Sequence, residues 1–392
     1  MTVADTGVCA AAGFEASGVA CGIKPSGELD LALVTSADAR PVTTAAVFTS
    51  NAVVAAPVIV SRDHLERSAR RTAAVVINSG NANAATGETG LDAARRTCAA
   101  VADALGCLEN EVLVCSTGVI GRYLPMEPML AGIPRAAAAL DPDGGEAAAE
   151  AIRTTDGVRK ETVVHGDGFT IGGMAKGSAG LQPNMATTLA VLTTDAGLGR
   201  SALQRCLATA VASTFNQLAV DGAPSTNDTV VLMASGTAGE VDEAVLTEAV
   251  TTACWDLAVQ MADDVAGATK TVFIRVSGAS DDADADRVAR AIANCQLIKC
   301  SWYGEDPHWG RIAGQIGAWG AVVDPGRLRI GYGGITSCEG GVGVDHDAHA
   351  LAAHMGGRRI DLDVDLGVGD GAAFVVSTDL GPGFIEQNRT TS

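Results

Sequence analysis

The sequence predicts a mixed α/β fold, and three observations carry that prediction. Short apolar runs of strand length alternate with longer segments of helical periodicity. Glycine and small polar residues punctuate the ends of those runs. The composition is globular: 47% hydrophobic and 19% charged, with 47 glycines in 392 residues. A chain this long buries a large core, in two domains or in one domain of two lobes.

The elements follow in order. AAVVIN (73–78) ends at Ser79-Gly80 and is expected to be a buried strand, and GLDAARRTCAAVADALG (90–106) a helix that stops near Gly106. EVLVCSTG (111–118) is a strand that runs into a small-residue turn, and DPDGGEAAAE (141–150) a loop entering a helix. ETVVHGDGFTIGG (161–173) predicts a hairpin turning at Gly166-Asp167-Gly168. SALQRCLATAVASTF (201–215) predicts a helix, with Ser201 and Gln204 at capping-box spacing. TVVLMASG (229–236) and TVFIRVSG (271–278) are strands with a long helix between them at 243–264. DADRVARAIANC (284–295) is a further helix, and the segment 358–381 a strand–turn–strand pair about Gly369-Asp370-Gly371.

Composition also excludes functions. Lys and Arg number 27 against 46 Asp and Glu, a net charge of −19, so no basic surface is expected for nucleic acid. The ten cysteines (Cys9, Cys21, Cys98, Cys107, Cys115, Cys206, Cys254, Cys295, Cys300 and Cys338) are scattered, without a CxxC pair. That usage predicts buried, reduced thiols in a cytoplasmic protein. The first residues lack the basic-then-apolar pattern of a signal peptide, and no apolar run approaches the roughly 18 residues of a membrane span. Neither GxSxG nor HExxH occurs, and GGMAKGSAG lacks the spacing of a phosphate-binding loop.

One stretch poses a chemical problem. AKGSAGLQPNMATTLAVLTTDA (175–196) carries hydroxyls at Thr187 and Thr188, yet the ten residues before Ala186 hold no His, Asp or Glu. A threonine hydroxyl is a poor nucleophile unless a base takes its proton. Cutting the chain just before a threonine supplies one, because the new α-amine titrates at about 7.7–8.0 and is partly neutral near pH 7. In that scheme the Thr187 hydroxyl attacks the Ala186 carbonyl, the peptide becomes an ester, and water releases it. By itself the stretch reads more readily as a plain loop before a strand or helix.

The wider sequence resembles the self-processing ornithine acetyltransferase family of arginine biosynthesis, also called glutamate N-acetyltransferase. KGSAGLQPNMATTL is similar to that family's processing segment, retaining Lys176, Gly177, Ser178, Pro183, Asn184, Met185, Ala186, Thr187 and Leu189. Family-like stretches then recur in order along nearly the whole chain, among them GVACGIKPSGELDLALV, VVINSGNANAATGE, LVCSTGVIGRYLPM, STFNQLAVDGAPSTNDTVVLMASG, IKCSWYGEDPHWGRI and VDLGVGDGAAFVVSTDL. The resemblance implies a layered α-β-β-α sandwich with a second α/β lobe. It implies a cut after Ala186 into an alpha chain 1–186, carrying the oxyanion hole, and a beta chain 187–392. The two chains stay associated, in a heterotetramer with two copies of each. It implies acetyl transfer from N-acetylornithine to glutamate in arginine biosynthesis, with no metal or organic cofactor; a specialised pathway is the alternative raised by departures from the family pattern.

By the same resemblance Thr187 is the nucleophile, Thr117 and Gly118 form the oxyanion hole, and Thr155, Lys176, Asn388 and Ser392 bind substrate. Read without it, Thr117-Gly118 is a strand-to-turn step, Lys176 an exposed surface lysine, and Thr154-Thr155 a cap beside Asp156. Two departures touch the substrate. Ala266 in VAGATK stands where relatives carry a glutamate that grips the substrate amine, and Ala223-Pro224 replaces an Asp-Thr pair. A buried ammonium needs a partner charge, so an altered amino-acid substrate is expected unless Asp263, Asp264 or Glu305 substitutes. Two other readings stay open: a hydrolase that passes the acyl group to water, and an uncut binding subunit.

Overall fold

The computed structural model describes residues 6–179, 188–222 and 224–389, with the backbone alone at Asn388. Thr187, Ala186 and Ser392 lie outside the described residues. The described chain divides into two units. The first takes residues up to 179 with 188–216 and 224–261, and the second takes 217–222 and the chain from 262 onward.

In the first unit the elements run β1 (Phe14–Val19), β2 (Leu31–Ser36), β3 (Val42–Phe48), α1 (Ala56–Arg67), β4 (Arg71–Thr72), β5 (Ala74–Asn81), α2 (Gly87–Leu105), β6 (Val112–Val119), α3 (Met126–Ala138) and α4 (Gly145–Ala151). They continue with β7 (Lys160–His165), β8 (Thr170–Lys176), β9 (Leu189–Gly197), α5 (Arg200–Ser213), β10 (Thr229–Glu240) and α6 (Glu243–Asp263), whose last residues cross into the second unit. One sheet has the order β1-β2-β5-β6 and the other β4-β3-β10-β9-β8-β7. Side chains alternate between faces along a strand, so each sheet has an inward and an outward set. Phe14, Val34, Val75, Ile77 and Leu113 of the first sheet meet Ala46, Met174, Val191, Val231 and Met233 of the second in one core. On the outer face of the first sheet, Leu31, Leu33, Val76 and Val114 pack with Cys98 and Val101 of α2 and with Met129 and Ile133 of α3. Gln204 of α5 bonds both the amide and the carbonyl of Ala46 on β3, at 3.2 and 3.1 Å. The layers are therefore α-β-β-α, as expected.

Most predicted elements are present. The 161–173 hairpin is β7 and β8, paired antiparallel from Lys160–Ala175 to His165–Thr170. α2 ends at Gly106, whose φ of 73° suits a residue without a Cβ. The capping box at Ser201 is absent: α5 begins at Arg200 with Gly199 as its N-cap and no side-chain cap, because Gln204 is committed to β3.

The second unit contains β11 (Thr271–Ala279), α7 (Asp282–Ala293), α8 (Gln296–Tyr303), α9 (Trp309–Ala318), β12 (Arg329–Tyr332), β13 (Ile335–Glu339), β14 (Val342–Gly343), α10 (Ala348–Gly356), β15 (Arg359–Asp365), β16 (Gly371–Thr378) and α11 (Pro382–Asn388). Its sheet order is β14-β13-β12-β15-β11-β16. The terminal strands β15 and β16 are therefore not partners. β11 lies between them, parallel to β15 and antiparallel to β16. One apolar core, including Val272, Ile274, Val288, Ile292, Trp302, Ile316 and Ile360, joins the sheet to α7, α8 and α9.

The predicted junction falls between neighbouring strands of one sheet, since β8 ends at Lys176 and its partner β9 begins at Leu189. Residues on both sides of position 186 share the first unit's sheets, so the two units are not the two expected chains. No described helix is long and apolar enough to cross a membrane. Cys300 is exposed, Cys107 and Cys295 are half-buried, the other cysteines are buried, and all ten are free thiols.

Candidate active site

Lys176 ends β8 with only 2% of its surface exposed, which corrects the reading of it as a surface lysine. An ammonium removed from water needs hydrogen-bond and charge partners. Its Nζ donates to Thr117 Oγ1 at 3.2 Å and lies 3.9 Å from Asp156 Oδ2. Thr117 is itself buried, near the C-terminal end of β6. There Gly118 has φ 131°, and a Cβ on it would come within 2.3 Å of the Gly80 carbonyl carbon on β5. Only glycine lets the two parallel strands approach so closely at this point. The sequence reading of a strand ending in a Thr-Gly step is therefore right, and its partner is a buried cation.

Asp156 is the hub of the cluster. Oδ1 accepts from Lys160 Nζ and from the Gly177 amide, both at 2.7 Å, and Oδ2 accepts from the Thr154 amide at 3.0 Å. Burial alone would raise its pKa. Lys176, Lys160 and the Gly177 amide outweigh burial and hold the carboxyl well below the ordinary carboxylate range. Lys176 is pushed down, first by burial and then by Lys160, with Asp156 and Asp228 opposing the shift. Thr155 lies beside this hub, its hydroxyl 2.6 Å from that of Ser178. The structure thus brings together Thr117, Gly118, Lys176 and Thr155 of the predicted residues.

A second buried carboxylate enters from β10. Asp228 precedes the strand and accepts the Thr188 amide on Oδ1 at 2.8 Å, while Oδ2 has no hydrogen-bond partner among the described residues. Burial raises this carboxyl well above its usual range, and the Thr188 amide and Lys176 offset only part of that. Its neighbour Asn227 donates to the Ala82 carbonyl at 2.6 Å and the Ser116 carbonyl at 2.9 Å, tying the start of β10 to the ends of β5 and β6.

Sequence reasoning passed over Lys160, Asn227 and Asp228, and treated Asp156 only as a turn residue. The signal for the first pair was present: Asp156 and Lys160 are four residues apart in DGVRK. Asp228 left none beyond an acidic residue before an apolar run.

In the second unit, Ala266 is buried, on the segment between α6 and β11. Glu305 does not offer a free carboxylate as its substitute, because Oε1 accepts Lys270 Nζ at 2.8 Å. Asp263 accepts the Thr271 hydroxyl at 2.6 Å, which leaves its charge and its second oxygen open to a further donor. Asn388 closes α11 in this unit. Among the described residues, no group of three or more His, Cys, Asp or Glu is placed to hold a metal ion.

Comparison with known proteins places these features in context. A family model described as the ArgJ family matches residues 15–390. The arginine biosynthesis bifunctional protein ArgJ of Streptomyces coelicolor is 44% identical over 98% of this chain and 99% of its own length. Its counterpart in Mycobacterium tuberculosis is 44% identical over 98% of this chain and 96% of its own. Among solved structures, the ornithine acetyltransferase of M. tuberculosis, complexed with ornithine, is 43% identical with a TM-score of 0.44, covering 48% of this chain and 98% of that one. The ArgJ protein of Bacillus halodurans is 34% identical with a TM-score of 0.48, covering 50% of this chain and 95% of that one.

Proposed function

The chain belongs to the ArgJ family and is an ornithine acetyltransferase / glutamate N-acetyltransferase; on that premise we propose that it cuts itself between Ala186 and Thr187 and carries the acetyl group from N-acetylornithine to glutamate as an ester on Thr187. The observation that supports this reading is the buried Thr117–Lys176 contact at the head of the connection that contains the junction.

In the first step the Thr187 hydroxyl oxygen bonds to the Ala186 carbonyl carbon, the peptide C–N bond breaks, and the amide nitrogen leaves as an amine. Water then hydrolyses the ester, giving the Ala186 carboxylate and a free α-amine on Thr187. That amine takes the hydroxyl proton when Thr187 attacks the acetyl carbonyl of N-acetylornithine. Ornithine leaves with the proton on its α-nitrogen, and the acetyl group stays on Thr187. Glutamate reverses the sequence, its neutral α-amine displacing the threonine oxygen.

Each attack places negative charge on a carbonyl oxygen. The Thr117 hydroxyl and the Gly118 amide are the donors for it, worth about 10²–10³ in rate for one donor. Lys176 attracts the substrate carboxylate with Thr155 close by, and the family resemblance assigns substrate contacts to Asn388 and Ser392 as well. The two chains remain joined after the cut by the β8–β9 ladder, which runs from Lys176–Leu189 to Ile171–Thr194. They assemble as a heterotetramer with two copies of each.

A finer point concerns the amine of ornithine. With Ala266 at the glutamate position and Glu305 held by Lys270, that amine lacks its family partner. Unless Asp263 or Asp264 takes that amine, N-acetylornithine binds weakly and an N-acetyl amino acid without a distal cation competes well. Steady-state transfer to glutamate from N-acetylornithine and from N-acetyl-leucine tests this. Transfer that vanishes in Thr187→Ala supports the ester route, whereas transfer surviving in Thr187→Ala contradicts it. A kcat/KM for N-acetylornithine far above that for N-acetyl-leucine removes the altered-substrate refinement alone.

A further inference from the structure

Thr117 and Lys176 hold a relationship that substrate binding does not require. A threonine hydroxyl has one hydrogen to donate and two lone pairs, whereas a lysine ammonium has three donors and no acceptor. With Lys176 in its ammonium form, the 3.2 Å contact has one direction, Nζ donating and Thr117 Oγ1 accepting. One lone pair of Oγ1 is thereby occupied by a cation. The hydroxyl hydrogen is turned away from Lys176, and Oγ1 has no other hydrogen-bond partner among the described residues. We infer that Lys176 is a positioning residue for the oxyanion hole: its ammonium fixes the Thr117 hydroxyl as a donor aimed at the developing oxyanion, besides any hold Lys176 has on the substrate carboxylate.

This rests on the reading of Thr117 as an oxyanion donor. The surroundings favour it in three ways. Thr117 and Lys176 are both nearly sealed from solvent, so water does not compete for the hydroxyl. The charged state of Lys176 is supported by Asp156 at 3.9 Å, itself anchored by Lys160 and by the amides of Gly177 and Thr154. A donor hydrogen-bonded to a cation is also polarised, so its own hydrogen is more positive. The arrangement is pre-set before any substrate arrives, which is what makes an oxyanion donor effective.

The test separates this role from carboxylate binding with an acetyl donor that has neither carboxylate nor amine, p-nitrophenyl acetate. The acetylation rate of the cleaved enzyme is measured for wild type, Thr117→Val, Lys176→Met, Lys176→Arg and the Thr117→Val/Lys176→Met double variant. Thr117→Val should lose about 100-fold and Lys176→Met about 10-fold, while the double variant falls no further than Thr117→Val, since both act through one hydroxyl. Lys176→Arg, which like lysine can only donate, should recover most of the Lys176→Met loss. Wild-type acetylation by Lys176→Met would overturn the inference and leave Lys176 as a carboxylate binder; losses that multiply in the double variant would overturn it by showing that Lys176 acts independently of the Thr117 hydroxyl. Self-cleavage keeps the question decidable if Lys176→Met accumulates uncut. That step binds no substrate carboxylate, so a folded but uncut Lys176→Met chain counts for the inference, provided Lys176→Arg is cut. If Lys176→Met does not fold, Lys176→Arg decides: acetylation within a few-fold of wild type supports the inference, and a loss as deep as that of Thr117→Val overturns it. A wild-type chain that stays whole defeats the underlying reading instead.

Discussion

Two carboxylates, Asp156 and Asp228, are almost completely buried in the same unit, and both act on Lys176. Their surroundings differ. Asp156 accepts from two backbone amides and a lysine, with a second lysine 3.9 Å away. Asp228 accepts the Thr188 amide, has Ser225 as a weaker neighbouring donor, and keeps an oxygen without a close hydrogen-bond partner among the described residues. The first is held ionised against burial, and the second is driven towards its protonated form by burial. Burial alone does not decide the state of an acid; the number and charge of its partners do. The Asp156 side is a locked scaffold under Thr117, the proposed oxyanion donor. The Asp228 side retains an unmet hydrogen-bonding demand beside Thr188, the residue after the proposed nucleophile.

The comparison is broken most severely at the locked side. Asp156→Asn leaves Lys160 and Lys176 without their counter-charge, and removing one partner of a buried pair costs about 3–5 kcal/mol. Denaturant unfolding should show a loss of that order at pH 7. The sign with pH is fixed. A carboxyl lowered by folding contributes stability above its unfolded pKa, and that contribution disappears as pH falls through the folded value. The variant and the wild type should therefore converge in acid.

A smaller change rebuilds the comparison in the second unit. Ala266→Glu creates a buried carboxylate that resembles Asp228 when empty and Asp156 once an ornithine amine arrives. The KM for N-acetylornithine should fall about tenfold, a gain of about 1.4 kcal/mol, with kcat little changed. An unchanged KM would mean that the amine is already satisfied by another group.

The smallest effect is expected at Asp228. Its pKa is raised by folding, so its contribution is fully present below the unfolded pKa and is lost as pH rises. Asp228→Asn keeps an acceptor for the Thr188 amide and removes that pH-dependent penalty. Its Tm should exceed that of wild type by about 2–4 °C near pH 7, the shift that ~1 kcal/mol gives in a domain of this size. The difference should vanish near pH 3. A Tm gain independent of pH would assign the effect to packing and place Asp228 with Asp156.

Local pattern made much of the fold legible. β5, α2, β6, the β7–β8 hairpin and α6 declare themselves through apolar period and punctuation, which depend on neighbours in sequence. β15 and β16 misled because adjacency in sequence says nothing about a third strand, β11, entering between them. Ser201 misled because Gln204 had a better partner on β3, 158 residues away. The family resemblance singled out Thr117, Gly118, Thr155 and Lys176, and the fold brings these four together. Their partnership was not legible, since Lys176 and Thr117 are 59 residues apart and Asp156 and Gly177 are 21 apart. Burial and charge pairing arise only when the chain is folded, so Lys160 and Asp228 read as ordinary polar residues.

The central claim is that a chain with no base beside its nucleophile makes one by cutting itself. The most direct measurement is the denatured intact mass of the purified protein. The account predicts two species in equal amount, one of them beginning at Thr187. A single species of 39.5 kDa would contradict it, because Thr187 would then carry no α-amine to take its proton.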